Sequence, residues 1–284
     1  MWYKIKKSIL VSIKYIFRFI SLLIPRKYRL RLLSEISEQL TPTYKVSTNY
    51  GEISFFSYGY LPFWRAKTFF DKEPEIIKWI NNFKKSDIFW DIGANVGIYS
   101  IYAGKKGVNV KAFEPSAFNF FLLNKNIHLN SLNNNIIAYP IALSRYSSVG
   151  MLNMSNVEIG GAESKFDTKE LKSVLDSNSR EIKKVYSQGV FSLSIDSLVE
   201  KNNFKVPNFI KVDVDNIEVE IMLGAEKTLS NPELKGLYIE LFEDDKDTNN
   251  LILFLKKNGF ELISKNGHDV SNNNSLNFIF SRVE

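Results

Sequence analysis

Apolar residues crowd the first two dozen positions at helical spacing. Ile9, Ile13, Ile16, Phe17, Ile20 and Ile24 cover much of one helix, while Lys4, Lys7, Lys14 and Arg18 fall on a narrow stripe of it. Pro25 ends the pattern, and Lys27, Arg29 and Arg31 follow. A basic stripe on a broadly apolar helix suits a membrane interface, with cations at headgroups and apolar side chains among acyl chains. The two central cations disfavour a spanning helix, and Pro25-Arg26-Lys27 is not a signal-peptide cleavage site. Residues 1–31 are thus expected to form an amphipathic basic helix that contacts membrane. Packing on its own domain or on a second subunit is the alternative.

Residues 32–87 read as a lead-in. Short alternating runs, Tyr44–Ser47 and Ile53–Phe56, predict small strands within 33–60. Ile76, Ile77, Ile80 and Phe83 predict a helix over Glu75–Phe83, with Pro74 in its first turn. From Ile88 strands and helices alternate: strand 88–92, helix 98–103, strand 108–113, helix 116–130 with Phe120, Phe121, Leu123 and Ile127 inward, and strand 136–143, which holds Pro140. The polar stretch 145–190 interrupts this order. It is expected to be an insertion on the active side of the sheet, with a hairpin strand at 149–152 and a charged helix within 168–186. Strands at 209–214 and 237–241, helices at 219–229 and 247–258, and closing strands at 260–264 and 276–280 complete residues 88–284. The alternation predicts an α/β fold, a doubly wound and mainly parallel sheet with helices on both faces and a helical N-terminal extension.

Composition narrows the chemistry. The 284 residues contain no cysteine, which excludes disulfides, thiolate metal sites and a cysteine nucleophile. Two histidines, His128 and His268, exclude a histidine-rich metal cage, and neither stands at a predicted strand end. A net charge of +6 favours anionic partners. A nucleic-acid partner is not expected, because the clearest basic cluster is N-terminal rather than a central stripe.

The stretch DIGANVG, Asp91 to Gly97, lies between a predicted strand and a predicted helix. Gly93 stands where the chain must turn and Gly97 where the helix start must approach closely; the helix start is expected to offer free N–H groups to a ligand. A dinucleotide site would place a third glycine where Asn95 stands. Asp91 opposes a pyrophosphate and favours a cationic ligand such as S-adenosylmethionine. Glu114, ending the next strand, is placed to bind a ribose diol.

With FEP at Phe113–Pro115, SIDSL at Ser194–Leu198, IKVDVDNIEVEIMLGA at Ile210–Ala225 and YIEL at Tyr238–Leu241, the turn resembles the FkbM-type methyltransferases over about residues 70–265. The resemblance implies the class I, Rossmann-like methyltransferase fold and transfer of a methyl group from S-adenosyl-L-methionine to a hydroxyl oxygen. The expected acceptor is a sugar of a bacterial surface glycan or its nucleotide- or lipid-linked precursor. It implies that Asp91, Gly93, Asn95 and Gly97 line the methionine end, that Glu114 holds the ribose, and that Asp213 lies near the transferred methyl. Family members commonly read D-V-E-G where this chain has Asp213, Val214, Asp215 and Asn216.

A sugar hydroxyl is a poor nucleophile and needs a base in reach. Asp213 is the first candidate, with a helix N-cap as its structural alternative, and Asp215 and Glu240 follow. The same acids could hold a divalent cation, but no metal is assigned. Lys211 and Glu218 are expected to pair electrostatically. Phe63, Trp64, Arg65 and Lys67 form a cluster suited to a glycan or a lipid-linked donor, or to simple packing. An NAD-binding oxidoreductase and an inactive glycan-binding module on the same fold are the alternative functions. The expected location is cytoplasmic, peripheral at the inner membrane face.

Overall fold

Pro25 divides the N-terminal helices. In a computed structural model describing residues 2–176, 180–243, 245–267 and 275–283 (backbone alone for 2–8, 10 and 14), the chain separates into two compact units, Met1–Pro42 and Thr43–Glu284. In the first, α1 (Trp2–Leu22) stops before Pro25 and α2 (Arg26–Gln39) starts after it, the ring-locked φ of −51° suiting a helix start. Arg29 donates to the carbonyls of Leu22 (3.2 Å) and Ile24 (3.1 Å), satisfying acceptors left over where α1 ends. The apolar side chains of α1 described from Ile9 onward are exposed, Phe19 at 67%. The side chains of Lys4, Lys7 and Lys14 lie outside the described residues, as does His268. Among the described residues no helix is long and apolar enough to cross a membrane. α2 takes residues 33–39, so the lead-in strands begin only at Thr43.

The second unit opens with a hairpin of β1 (Thr43–Thr48) and β2 (Gly51–Phe56), then α3 (Tyr60–Lys67) and α4 (Pro74–Asn81). The wound core follows: β3 (Ile88–Ile92), α5 (Ile98–Lys106), β4 (Asn109–Phe113), α6 (Ala117–Leu129) and β5 (Ile136–Tyr139). Leu122, Leu123 and Ile127 bury the inner face of α6; Phe121 faces outward instead, 49% exposed. The run expected as one strand over 136–143 splits at Pro140, which has no N–H for a ladder. Its second part, β6 (Ala142–Leu143), joins β7 (Ser148–Met154), β8 (Ser164–Asp167) and β11 (Tyr186–Leu193) in a separate sheet of order β6-β11-β7-β8. The charged helix expected in 168–186 is not formed by the described residues; β9 (Ser173–Leu175) and β10 (Glu181–Lys183) make a hairpin there. Then come α7 (Ile195–Lys201), β12 (Phe209–Val212), α8 (Glu218–Leu223), α9 (Glu226–Leu229), β13 (Gly236–Phe242), α10 (Lys246–Lys257), β14 (Phe260–Asn266) and β15 (Ser275–Arg282).

The main sheet has the order β14-β15-β13-β12-β3-β4-β5. The strands from β13 to β5 run parallel, and β15 is antiparallel to both its neighbours. Successive side chains of a strand point to opposite faces. Phe89 accordingly joins the core under α4, α5 and α6, while Trp90 and Ile92 join the core under α7, α8 and α10. Chain order reverses between β3 and β12, which opens a crevice beyond their carboxyl ends.

Candidate active site

A cavity of about 510 Å³ occupies that crevice, a size ordinary for a small-ligand site. The turn after β3 forms its floor. Gly93 has φ +79°, and a Cβ there would lie 1.9 Å from the backbone oxygen of Asp213, so glycine lets the ends of β3 and β12 meet. Gly97, at φ +90°, faces Leu123, whose Cδ1 would lie 2.5 Å from an added Cβ; this glycine serves the packing of α5 on α6 and does not line the cavity. Asn95 is left-handed at φ 51°. Its N–H donates to Glu114 Oε2 (2.8 Å) and its Nδ2 to the Gly161 carbonyl (2.8 Å).

The N–H groups of this turn are not free. Gly93 and Ala94 donate to the Phe113 carbonyl, Asn95 to Glu114, Val96 to the Asn95 side chain and Gly97 to the Ala94 carbonyl, all at 2.8–3.1 Å. The turn itself therefore presents no open donor; the helix start, where free N–H groups were expected, begins after it at Ile98 of α5. These bonds build a rigid shelf, and Glu114 is its keystone. Glu114 accepts from Asn95 through Oε2 and from Ser116 N–H through Oε1 (2.8 Å each). Burial pushes its pKa up to about 7, against the lowering effect of those two N–H bonds.

Asp91 is not a cavity residue. It is 1% exposed and accepts from Ser100 Oγ at 2.5 Å. Parallel pairing sets Asp91 directly beside Lys211 on the next strand, and Lys211 Nζ lies 3.6 Å from Asp91 and 2.9 Å from Asp213. A lysine 1% exposed is tolerable because it is paired on both sides. Burial raises the pKa of Asp91, with Lys211 and Ser100 working against it. For Asp213 the balance is opposite: burial disfavours its charge, but the Lys211 ammonium prevails and holds its pKa below the usual value.

Asp213, Asp215 and Glu240 all line the cavity. Asp213 is no N-cap, since α8 starts after Ile217. Asp215 accepts from Ser164 N–H at 2.6 Å, and burial lifts its pKa to about 6. Glu240 accepts from Ser275 Oγ at 3.0 Å; burial and the nearby Asp213 charge push it to about 8. Near neutral pH Glu240 thus tends to keep its proton while Asp213 is ionised. Among the described residues no group of three or more acids and histidines is arranged to hold a metal ion. Glu218 accepts from Val214 N–H (3.2 Å) and stays buried.

Several wall residues were not legible. Lys72 comes from the lead-in and donates to Glu73 Oε1, while the Tyr99 hydroxyl donates to Glu73 Oε2, each at 2.6 Å. Trp64 and Arg65 of the aromatic-cationic cluster line the cavity, whereas Phe63 packs edge-on against Tyr44. The Gly160–Gly161 segment of the insertion forms another wall. Asn95 and Asn119 hold the Gly161 carbonyl, Asn119 Oδ1 takes the Gly160 N–H (2.8 Å), and Arg65 Nε donates to the Gly160 carbonyl (2.8 Å).

A sheet of this order, with an antiparallel strand beside β13 and a ligand cavity where the chain order reverses, defines the class I methyltransferase fold. The chain belongs to the family of the methyltransferase FkbM domain, whose model matches residues 91–262. It is 25% identical over 192 residues, 66% of this chain and 71% of the relative, to the hexuronic acid methyltransferase AglP of Haloferax volcanii. Among solved structures it resembles the methyltransferase FkbM of Methylobacillus flagellatus KT, with a TM-score of 0.48 and 16% identity over 69% of this chain. It spans 44% of that protein's chain. A precorrin-6y C5,15-methyltransferase of Geobacter metallireducens aligns with a TM-score of 0.41 and 12% identity, over 74% of this chain and 85% of the other.

Proposed function

We propose that this protein is an S-adenosylmethionine-dependent O-methyltransferase acting on a sugar hydroxyl of a surface glycan or of its nucleotide- or lipid-linked precursor. The observation that supports this over an NAD enzyme is the closed turn. A pyrophosphate needs free backbone N–H groups and a glycine at the middle position. Here five successive N–H groups, Gly93 to Gly97, are already bound, and Asn95 ties that position to Gly161. Glu114 remains for a ribose diol, since each of its oxygens keeps a lone pair beyond the N–H it accepts. Ile92, Phe113, Ile141 and Leu143 supply an apolar wall for a purine. Similarity to the Haloferax volcanii relative, a hexuronic acid methyltransferase, favours a sugar acceptor.

The bound cofactor would supply an electrophilic methyl group on a sulfonium. Asp213, ionised beside Lys211, takes the hydroxyl proton as the acceptor oxygen attacks. Glu240 keeps its own proton near neutrality and steadies the Asp213 carboxylate. Asp215 ties the insertion to the end of β12 through Ser164 and sets a third acid on the acceptor side. Trp64 and the Gly160–Gly161 segment exclude water from the reacting atoms.

Calorimetric titration tests the cofactor. The protein is expected to bind S-adenosylmethionine at micromolar levels and not NAD, with Glu114→Ala weakening binding about tenfold or more. Equal binding of NAD, or no binding of either, would sink the reading.

The N-terminal unit belongs to the same proposal. Nine of the 37 lysines and arginines, and none of the 31 acids, fall within the first 34 residues. The rest of the chain is net acidic, so the cationic character of the protein is concentrated where the apolar side chains of α1 are exposed. That combination suits an anionic lipid surface, where a lipid-linked acceptor would lie.

A further inference from the structure

Among the described residues, Arg65 is a cation of the cavity wall without a carboxylate partner. Lys72 is paired with Glu73 at 2.6 Å and Lys211 with Asp213 at 2.9 Å. Arg65 has no carboxylate within ion-pair distance among the described residues. Its Nε donates to the Gly160 carbonyl at 2.8 Å, which fixes the guanidinium plane, and its terminal nitrogens find no acceptor among those residues. It lines both the main cavity and a smaller recess of about 40 Å³ beside the glycine turn, whose walls include Lys72, Asn95, Tyr99 and Asp213. Such a recess has room for a group of a few heavy atoms and none for a sugar ring.

A guanidinium oriented by one bond offers a planar fork that matches a carboxylate, and a half-buried unmatched cation gains most from an anion brought to it. We propose that Arg65, with Lys72 beside it, anchors a carboxylate carried by the ligand of this cavity. This rests on the methyltransferase reading. The carboxylate has two sources: the amino-acid end of the cofactor, favoured by the recess lying against the turn, or an acidic acceptor sugar.

The test compares the full chain with Arg65→Gln on ligand pairs that differ in their acidic portion. S-adenosylhomocysteine carries the amino-acid end, and 5′-methylthioadenosine lacks it. Methyl glucuronide carries a carboxylate, and methyl glucoside does not. The expected result is about a tenfold or greater loss of S-adenosylhomocysteine affinity in Arg65→Gln with methylthioadenosine affinity unchanged. Unchanged S-adenosylhomocysteine binding with a selective loss for methyl glucuronide, followed by chemical-shift titration, supports the proposal and assigns the carboxylate to the acceptor. The proposal is overturned if no ligand is affected, or if acidic and neutral members weaken alike, as they would if the variant only loosened the Gly160 segment. A wild-type protein that binds neither nucleoside sinks the cofactor reading itself and leaves the glucuronide pair to decide for Arg65.

Discussion

Glu240 shows how burial changes one side chain. Its pKa is about 8 in the fold against an ordinary 4.5, because burial and the Asp213 charge penalise its ionised form. The unfolded chain therefore gives up this proton at lower pH than the folded one does. The resulting stability is fully present below about pH 4.5 and is lost as pH rises towards 8. Glu114, moved to about 7, adds a loss of the same sign. Urea unfolding of Glu240→Gln is expected to show a shallower decline from pH 5 to pH 8 than the wild-type protein; an identical slope would mean that the glutamate is ionised throughout. The candidate residues at strand ends were legible because a parallel strand delivers its last side chains to the crevice. Asp91 was not. Its acid type was visible, but only the register of β3 on β12 shows that Lys211 and Ser100 enclose it.

At the scale of elements, periodic segments carry their structure in their spacing; in the insertion the strand expected at 149–152 is part of β7, while the charged helix is not formed by the described residues. Strand 88–92 and the α4 and α6 helices carry their faces in their spacing. In residues 168–186, Leu171, Val174 and Leu175 stand at helical spacing, which fits a helix as readily as the β9–β10 hairpin; cross-strand pairing decided the matter. The predicted helix 219–229 breaks into α8 and α9 around Gly224, where a Cβ would lie 2.8 Å from the Ser144 carbonyl, a close approach invisible locally. The Gly160–Gly161 wall depends on distant asparagines. Asn119→Ala removes the acceptor for Gly160 N–H and one donor to Gly161. Hydrogen exchange is expected to quicken about tenfold over residues 156–163 with β3 and β12 unchanged, the loss of one to two buried hydrogen bonds. Unaltered exchange there would show that the loop holds itself.

Across the whole molecule, charge and burial divide the chain at Pro42. A chain beginning at Thr43 is expected to stay folded, since the second unit holds its own sheet and cores. It is also expected to lose binding to vesicles of anionic lipid that the full chain binds in a salt-sensitive way. Equal vesicle binding by both chains would refute the interfacial role of α1. The sequence by itself determined the alternation of strands and helices, the break at Pro25, the glycine turn and the acids at strand ends, because periodicity, ring-locked or free φ angles and strand direction act over a few residues. Only the tertiary structure decided that Asp91 belongs to a buried ion pair, that the turn's N–H groups are closed, and that Arg65, Lys72 and Gly160–Gly161 wall the cavity. Those outcomes depend on strand register and on contacts between residues up to 120 positions apart, such as Asp91 and Lys211, which no local pattern encodes.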